Sequence, residues 1–302
     1  MVGVAAVVIA AAASVAGAQQ AAAPRKGSGA RTGSGGRYAT VNGLRMYFEV
    51  HGPERDAGTP LVLLHGALST IETDFGKVLP TLAKTRRVIA VEQQAHGHTA
   101  DADRPLSYAQ MADDTAELLR QLGIENADFL GYSMGGGVAL QVASRHPALV
   151  RKLVFAGGTS YNPDGLYPEL LEGMKRMKPE DLAGSPWQRA YARVAPQPER
   201  WGTLVGKIKE LDLSFAGWPP EVLQAITAPT LLMIGDADIV RPEHTVRMFR
   251  LLGGGVPGDL VGLPRSRLAV LPGTTHVTLV DRTDWLLSMV SDFLDAPMPK
   301  AR

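Results

Sequence analysis

The chain has 302 residues, 45% of them hydrophobic and 20% charged, with a formal net charge of +1. That length and balance suit one large globular domain with a sizeable core, and a charge so near zero gives no support to nucleic-acid binding. The chain contains no cysteine, so disulfides, thiolate metal sites and a cysteine nucleophile are excluded.

Residues Met1–Ala18 read as an export signal. Val2 to Val15 is almost wholly apolar and Ala-rich, and Ala16-Gly17-Ala18 supplies the small-residue pattern of a signal-peptidase site. The run is too short for a membrane span. No Lys or Arg precedes it, so the charge at its head comes from the amino terminus alone or from a start further upstream. The expectation is a secreted or periplasmic protein, with a cytoplasmic enzyme bearing an Ala-rich tail as the alternative. Residues 19–36, rich in Ala, Gly and Ser and containing Pro24, read as a flexible linker. The folded domain is expected over 37–302, and it shows no internal repeat.

Tyr38–Val41 and Met46–Val50 read as two strands about the hairpin turn Asn42-Gly43. Leu61–Leu64 and Val88–Val91 are continuous apolar runs, as expected of strands buried on both faces, with a helix expected over Ile71–Leu82. Ser107–Leu122 is the clearest helix: Ser107 can cap it, Met111, Thr115, Leu118, Leu119 and Leu122 share one face, and Gly123 ends it. An apolar run at Ala127–Leu130 and another at Leu153–Ala156 continue the strands. Strands alternating with helices imply a parallel sheet covered on both faces. The rhythm then breaks. Residues 159–222 carry short helical pieces, many prolines and three of the four tryptophans, Trp187, Trp201 and Trp218, and read as a helical insertion above the sheet. It resumes with Thr230–Ile234, a helix over Pro242–Leu252, a loop over Gly253–Pro264, a strand at Leu268–Leu271 and a last helix over Val280–Leu294.

Chemistry concentrates where strands end. Gly131-Tyr132-Ser133-Met134-Gly135 follows a strand and opens a helix, the context in which G-x-S-x-G forms a nucleophile elbow. A β-carbon at Gly131 or Gly135 would crowd that strained turn. The Met134 N–H is left facing the space before the hydroxyl, at the positive end of the new helix. Gly235-Asp236-Ala237-Asp238 follows another strand, and His276 follows the last. Ligands of open α/β sheets bind outside such strand ends. Asp236 and Asp238 are both candidate acids. Asp236 sits at the turn itself, where backbone N–H groups engage it most easily, and Asp238 lies further out, toward the His276 loop. His51, His146 and His244, at turns and helix ends, read as surface residues. His96-x-His98 with Asp101 invites a metal reading, but the H-x-H-x-D-H order fails at Ala100 and Asp101.

From about Tyr38 to Leu294 the chain resembles an α/β-hydrolase fold protein with a helical cap. The resemblance rests on Leu64-His65-Gly66-Ala67, the elbow, Gly235-Asp236-Ala237-Asp238 with Pro242 shortly after, and Thr275-His276. It implies a mostly parallel eight-stranded sheet with helices on both faces. It implies Ser133 as nucleophile, His276 as base, Asp238 as acid, and an oxyanion hole from the backbone N–H groups of Ala67 and Met134. One region departs from the pattern: Gln93-Gln94-Ala95-His96-Gly97-His98 has alanine where relatives often have glycine before His-Gly.

The expected function is a serine hydrolase cleaving carboxylic esters of small to medium, mostly apolar substrates through an acyl-enzyme. Lactone opening or carbon–carbon bond hydrolysis on the same triad are the alternatives, with a catalytically silent binding protein behind them. His65, Trp187 and Trp218 are the expected substrate-facing residues, His65 chiefly by shaping the oxyanion loop, with Met174 and Met177 packing or lining the cap. No metal or organic cofactor is implied. The expected partner is a small-molecule ester or lactone, with neither nucleic acid nor membrane, and nothing in the chain bears on oligomeric state.

Overall fold

Apolar alternation builds a single sheet with two different faces. In the computed structural model, which describes residues 36–53 and 58–299, the strands are β1 (Arg37–Val41), β2 (Leu44–His51), β3 (Leu61–Leu64), β4 (Val88–Glu92), β5 (Ala127–Tyr132), β6 (Val150–Ala156), β7 (Thr230–Ala237) and β8 (Arg267–Thr275). The expected export signal lies outside the described residues, as does the linker apart from Gly36. Spatial order is β1-β2-β4-β3-β5-β6-β7-β8. The β1–β2 and β2–β4 pairs are antiparallel and the rest parallel. Asn42 and Gly43, at φ 47° and 82°, make the hairpin between β1 and β2.

Helices α1 (Ile71–Phe75) and α2 (Leu79–Leu82) follow β3, α3 (Tyr108–Gln121) precedes β5, and α4 (Met134–Arg145) follows it. Between β6 and β7 come α5 (Pro168–Arg176), α6 (Pro186–Val194), α7 (Trp201–Ser214) and α8 (Pro220–Gln224); α9 (Pro242–Leu251) and α10 (Gly258–Val261) precede β8, and α11 (Thr283–Asp295) ends the fold. Successive strand residues point to opposite faces. Val62, Leu64, Ile89, Val91, Phe129 and Phe155 thus pack with α3, α4 and α9, while Leu61, Leu63, Val88, Ala90, Leu130 and Val154 pack with α1, α2 and α11. The β6–β7 insertion joins the first of these cores through Leu182, Tyr191, Trp201, Leu204, Ile208 and Leu223.

Several elements differ from expectation. The helix expected over 71–82 is two short ones, because Gly76 caps α1 and a fresh start is made at Val78. The 253–264 loop contains α10. Residues Val277–Asp281 are a 3-10 turn, so the last helix begins at Thr283. His244 is buried, not on the surface: its ring stacks on Tyr161 at 4.5 Å and its Nε2 accepts the Tyr161 N–H at 3.3 Å. His51 and His146 are half-buried and pair with Glu49 and Asp113.

The insertion is stitched down at both margins. Lys207 on α7 meets Asp101 and the carbonyls of Ala102 and Arg104. Trp218 N–H donates to Tyr161 O at 2.7 Å, Arg241 N–H donates to Gly165 O at 2.8 Å, and Leu166 bridges Val240. Among the described residues no helix is long and apolar enough to cross a membrane.

Candidate active site

The nucleophile elbow is built by close approach. A β-carbon at Gly131 would lie 2.3 Å from Gly135 O, and one at Gly135 would lie 2.0 Å from Leu64 O, so only glycine fits either place. Ser133, squeezed between them, takes φ 52° and ψ −115°, a conformation that costs an L-residue roughly 1–3 kcal/mol. Asn42, Leu68, Ala95 and Ser133 are the non-glycine residues at positive φ among those described. Asn42 belongs to the hairpin; the other three surround this site.

From that turn a chain of hydrogen bonds runs through three strand ends. The Ser133 hydroxyl lies 2.8 Å from His276 Nε2, where it can donate, and His276 Nδ1 lies 2.8 Å from Asp238 Oδ1, to which it donates. Asp238 is buried and accepts Val240 N–H on Oδ1 and Gly158 N–H on Oδ2, both at 3.1 Å. Tyr132 OH donates to His276 O at 2.9 Å and fixes the loop from below. Burial pushes the imidazolium of His276 down, but the Asp238 charge and hydrogen bond, aided by Asp74, outweigh it and hold the group above its ordinary value. Burial likewise opposes the Asp238 carboxylate, yet His276 and the two N–H donors hold it below the ordinary carboxylate range. Such a relay can take the proton of a serine as it attacks and hand it to a leaving group.

The facing loop is set by three side chains. Gly66 N–H donates to Asp74 Oδ2 at 2.7 Å, and Leu68 N–H donates to His96 Nε2 at 3.1 Å. His65 Nε2 accepts Gln93 N–H at 3.0 Å, and its Nδ1 lies 2.7 Å from Gly66 O. Burial and the neighbouring His65 push His96 down to about 3. His96 is therefore neutral, with Nδ1 donating to Gln94 O at 2.9 Å and Nε2 free to accept. Ala95, at φ 66°, keeps the wall's turn despite lacking glycine's freedom. With its neighbours' N–H groups engaged, Ala67 N–H has no acceptor among the described residues, and neither does Met134 N–H at the start of α4. Two unpaired donors near a serine can hold a developing oxyanion.

The structure thus brings Ser133, Asp238, His276, Ala67 and Met134 together. It does not bring His65 to a substrate: the residue is 0% exposed with both ring nitrogens on backbone atoms, so it shapes the loop only. Trp187 is half-buried against the core, and Trp218 meets Tyr108 and Phe215 edge-on at 5.3 and 4.7 Å. Asp236 is exposed and accepts Gly273 N–H and Thr274 N–H at 3.0 and 3.1 Å. His96 and His98 turn to different partners, Leu68 N–H and Glu92, and among the described residues no group of three or more possible metal ligands converges. Asp74, His96 and Tyr132 are the site-shaping residues that sequence reasoning missed. Each acts on a partner far along the chain, and only the doubled histidine of 96–98 drew notice.

Two outcomes follow from this geometry. Glycine relieves the elbow strain and alanine does not, so Ser133→Gly should be more stable than Ser133→Ala by about 1 kcal/mol in paired thermal melts; equal melting points would contradict a strained elbow. Asp238→Asn should lower turnover by roughly 10⁴-fold, as a wrong His276 tautomer would, while Asp236→Asn should cost about 1 kcal/mol of stability and little activity. Because the base acts unprotonated, kcat/KM should fall as pH drops through the His276 pKa. That limb should lie above 6.5 in the wild type and move lower in Asp238→Asn. Inactivity of Asp236→Asn instead would reverse the assignment.

A family model for the alpha/beta hydrolase fold matches residues 59–283. The chain is 38% identical over 268 residues to a 2-hydroxymuconate semialdehyde hydrolase from a Pseudomonas species, covering 79% of this chain and 87% of the relative. It is 28% identical over 259 residues to a pimeloyl-[acyl-carrier protein] methyl ester esterase of Neisseria meningitidis, covering 80% and 94%. Among solved structures, the meta-cleavage product hydrolase CumD of Pseudomonas fluorescens superposes with a TM-score of 0.68 at 20% identity, covering 86% of this chain and 97% of that one. The chain belongs to the α/β-hydrolase fold family and is a hydrolase of that family.

Proposed function

We propose that the protein is a serine hydrolase that cleaves carboxylic esters of small to medium, mostly apolar substrates. The observation that carries this reading is the conjunction of the Ser133–His276–Asp238 relay with the two unpaired N–H groups of Ala67 and Met134. Ser133 Oγ attacks the acyl carbon while His276 Nε2 takes its proton and Asp238 stabilises the imidazolium. The carbonyl oxygen, now negative, accepts from Ala67 and Met134 N–H; removing one such donor in a serine protease costs about 3–4 kcal/mol of barrier lowering. Collapse of the tetrahedral intermediate breaks the ester bond, and His276 returns the proton to the departing alkoxide. Water then repeats the sequence on the acyl-enzyme, releasing the acid and restoring Ser133. The half-buried Trp187 and Trp218 would bound the acyl pocket from the cap side. Similarity to the methyl ester esterase supports the reading.

A second reading, carbon–carbon bond hydrolysis by the same triad, is favoured by the 38% identity to 2-hydroxymuconate semialdehyde hydrolase. One panel separates them: p-nitrophenyl esters of graded chain length, a set of lactones, and 2-hydroxymuconate semialdehyde. We expect the medium-chain esters to give the highest kcat/KM, with Ser133→Ala abolishing it to within the residual left by binding and the oxyanion hole. A higher kcat/KM on the semialdehyde would install the second reading. Near-full activity of Ser133→Ala on every substrate would end both.

A further inference from the structure

The loop between α9 and β8 carries apolar side chains that the protein does not cover. Leu260 is 83% exposed and Leu263 81%, well above any other large hydrophobic residue described. Exposed leucines scattered singly are ordinary on a protein surface. These two share one turn. A β-carbon at Gly258 would lie 3.5 Å from Leu263 Cδ2, and Leu260 stands in that same α10 turn, with Val256 and Val261 also exposed. Exposure this high makes the turn a protruding tip and not a groove, so it has no walls to grip a partner's side chain. Its backbone is largely satisfied from within. Leu260 and Val261 N–H donate to Pro257 O at 2.9 and 3.1 Å, Gly262 N–H donates to Gly258 O at 2.8 Å, and Pro257 and Pro264 have no N–H at all. Leaving water therefore strips few amides of a partner, which is the condition for entering an apolar phase.

The root of the loop is cationic. Residues 241–267 hold five arginines, Arg241, Arg247, Arg250, Arg265 and Arg267, against two carboxylates, Glu243 and Asp259, in a chain whose whole net charge is +1. None of the five makes an ion pair with a described residue. Two of them lie directly against the loop: a β-carbon at Gly255 would be 3.1 Å from Arg250 Cγ, and one at Gly253 would be 3.0 Å from Arg265 Nε. Gly254 rests on the Phe249 ring, and Ser266 Oγ donates to Leu252 O at 2.6 Å, so the root is fixed while the tip stands clear.

We propose that this loop docks the protein on an anionic phospholipid surface, with Leu260 and Leu263 entering the headgroup boundary and the arginines around its root meeting lipid phosphates. Charge complementarity selects this occupant: an apolar tip above unpaired cations matches the layering of an anionic bilayer, apolar beneath negative. Asp259, the one acidic residue of the loop, holds the turn at headgroup depth, since a carboxylate is costly in hydrocarbon. The contact is peripheral and needs no spanning helix.

The test is co-sedimentation of the full chain with vesicles of phosphatidylcholine alone or with about 30 mol% phosphatidylglycerol. Wild type should partition about tenfold or more onto the anionic vesicles relative to the neutral ones, and added salt should weaken this. Leu260→Ser/Leu263→Ser should lower anionic-vesicle binding about tenfold or more and leave the melting temperature unchanged. Arg247→Gln/Arg250→Gln should lower it and flatten its salt dependence. Because the chain has no cysteine, a polarity-sensitive dye can be placed at Leu263→Cys alone, with Thr40→Cys on β1, at the opposite edge of the sheet from β8, as the control. The Leu263→Cys dye should shift to the blue on anionic vesicles and the Thr40→Cys dye should not. A wild type that stays off both vesicles overturns the proposal. So does binding that persists in Leu260→Ser/Leu263→Ser, which would belong to another segment. Light scattering covers the remaining occupant: a dimer that the leucine double variant turns to monomer, with no vesicle binding, assigns the tip to a second copy of the chain and also overturns the proposal.

Discussion

The site depends on one backbone constraint, the strained turn at Ser133. Its φ of 52° exists only because Gly131 and Gly135 let the chain pass within contact of itself and of Leu64 O. That single conformation lifts the hydroxyl off the strand end toward His276 Nε2 and leaves Met134 N–H as the first amide of α4, without an acceptor among the described residues. The surrounding sheet holds the turn against relaxation, since β5 is flanked on both sides by parallel partners, β3 and β6. Strain is affordable where packing on every side over-determines the conformation.

The opposite wall is governed by subtraction. Asp74 takes Gly66 N–H and His96 takes Leu68 N–H, and the Ala67 N–H between them is left without an acceptor among the described residues. A neutral His96 is required, since an imidazolium could not accept from Leu68; burial and the neighbouring His65 secure that state. The same logic makes the buried His65 a structural partner of the Gln93 loop and not a ligand for substrate.

Strands buried on both faces are plain in the sequence because burial demands continuous apolar runs, as at Leu61–Leu64. β8 reads short because it is an edge strand with much of its length exposed, and it tolerates Pro272 and Gly273 near its end. The α1–α2 break is hidden because apolar spacing continues across Gly76. Ser133, Asp238 and His276 are legible through motif and strand-end position. Asp74 and His96 are not, since a hydrogen bond to a loop amide leaves no local pattern. His244 misleads for the same reason: its burial comes from Tyr161, 83 residues away.

The central claim is that Ser133 is paired with an oxyanion hole made of Ala67 and Met134 N–H. The most direct measurement is a crystal structure of the covalent adduct formed with a p-nitrophenyl alkylphosphonate. The account predicts phosphorus bonded to Ser133 Oγ and the phosphoryl oxygen within about 2.7–3.1 Å of both amide nitrogens. A phosphoryl oxygen turned to solvent, or phosphorus on any other residue, would contradict it.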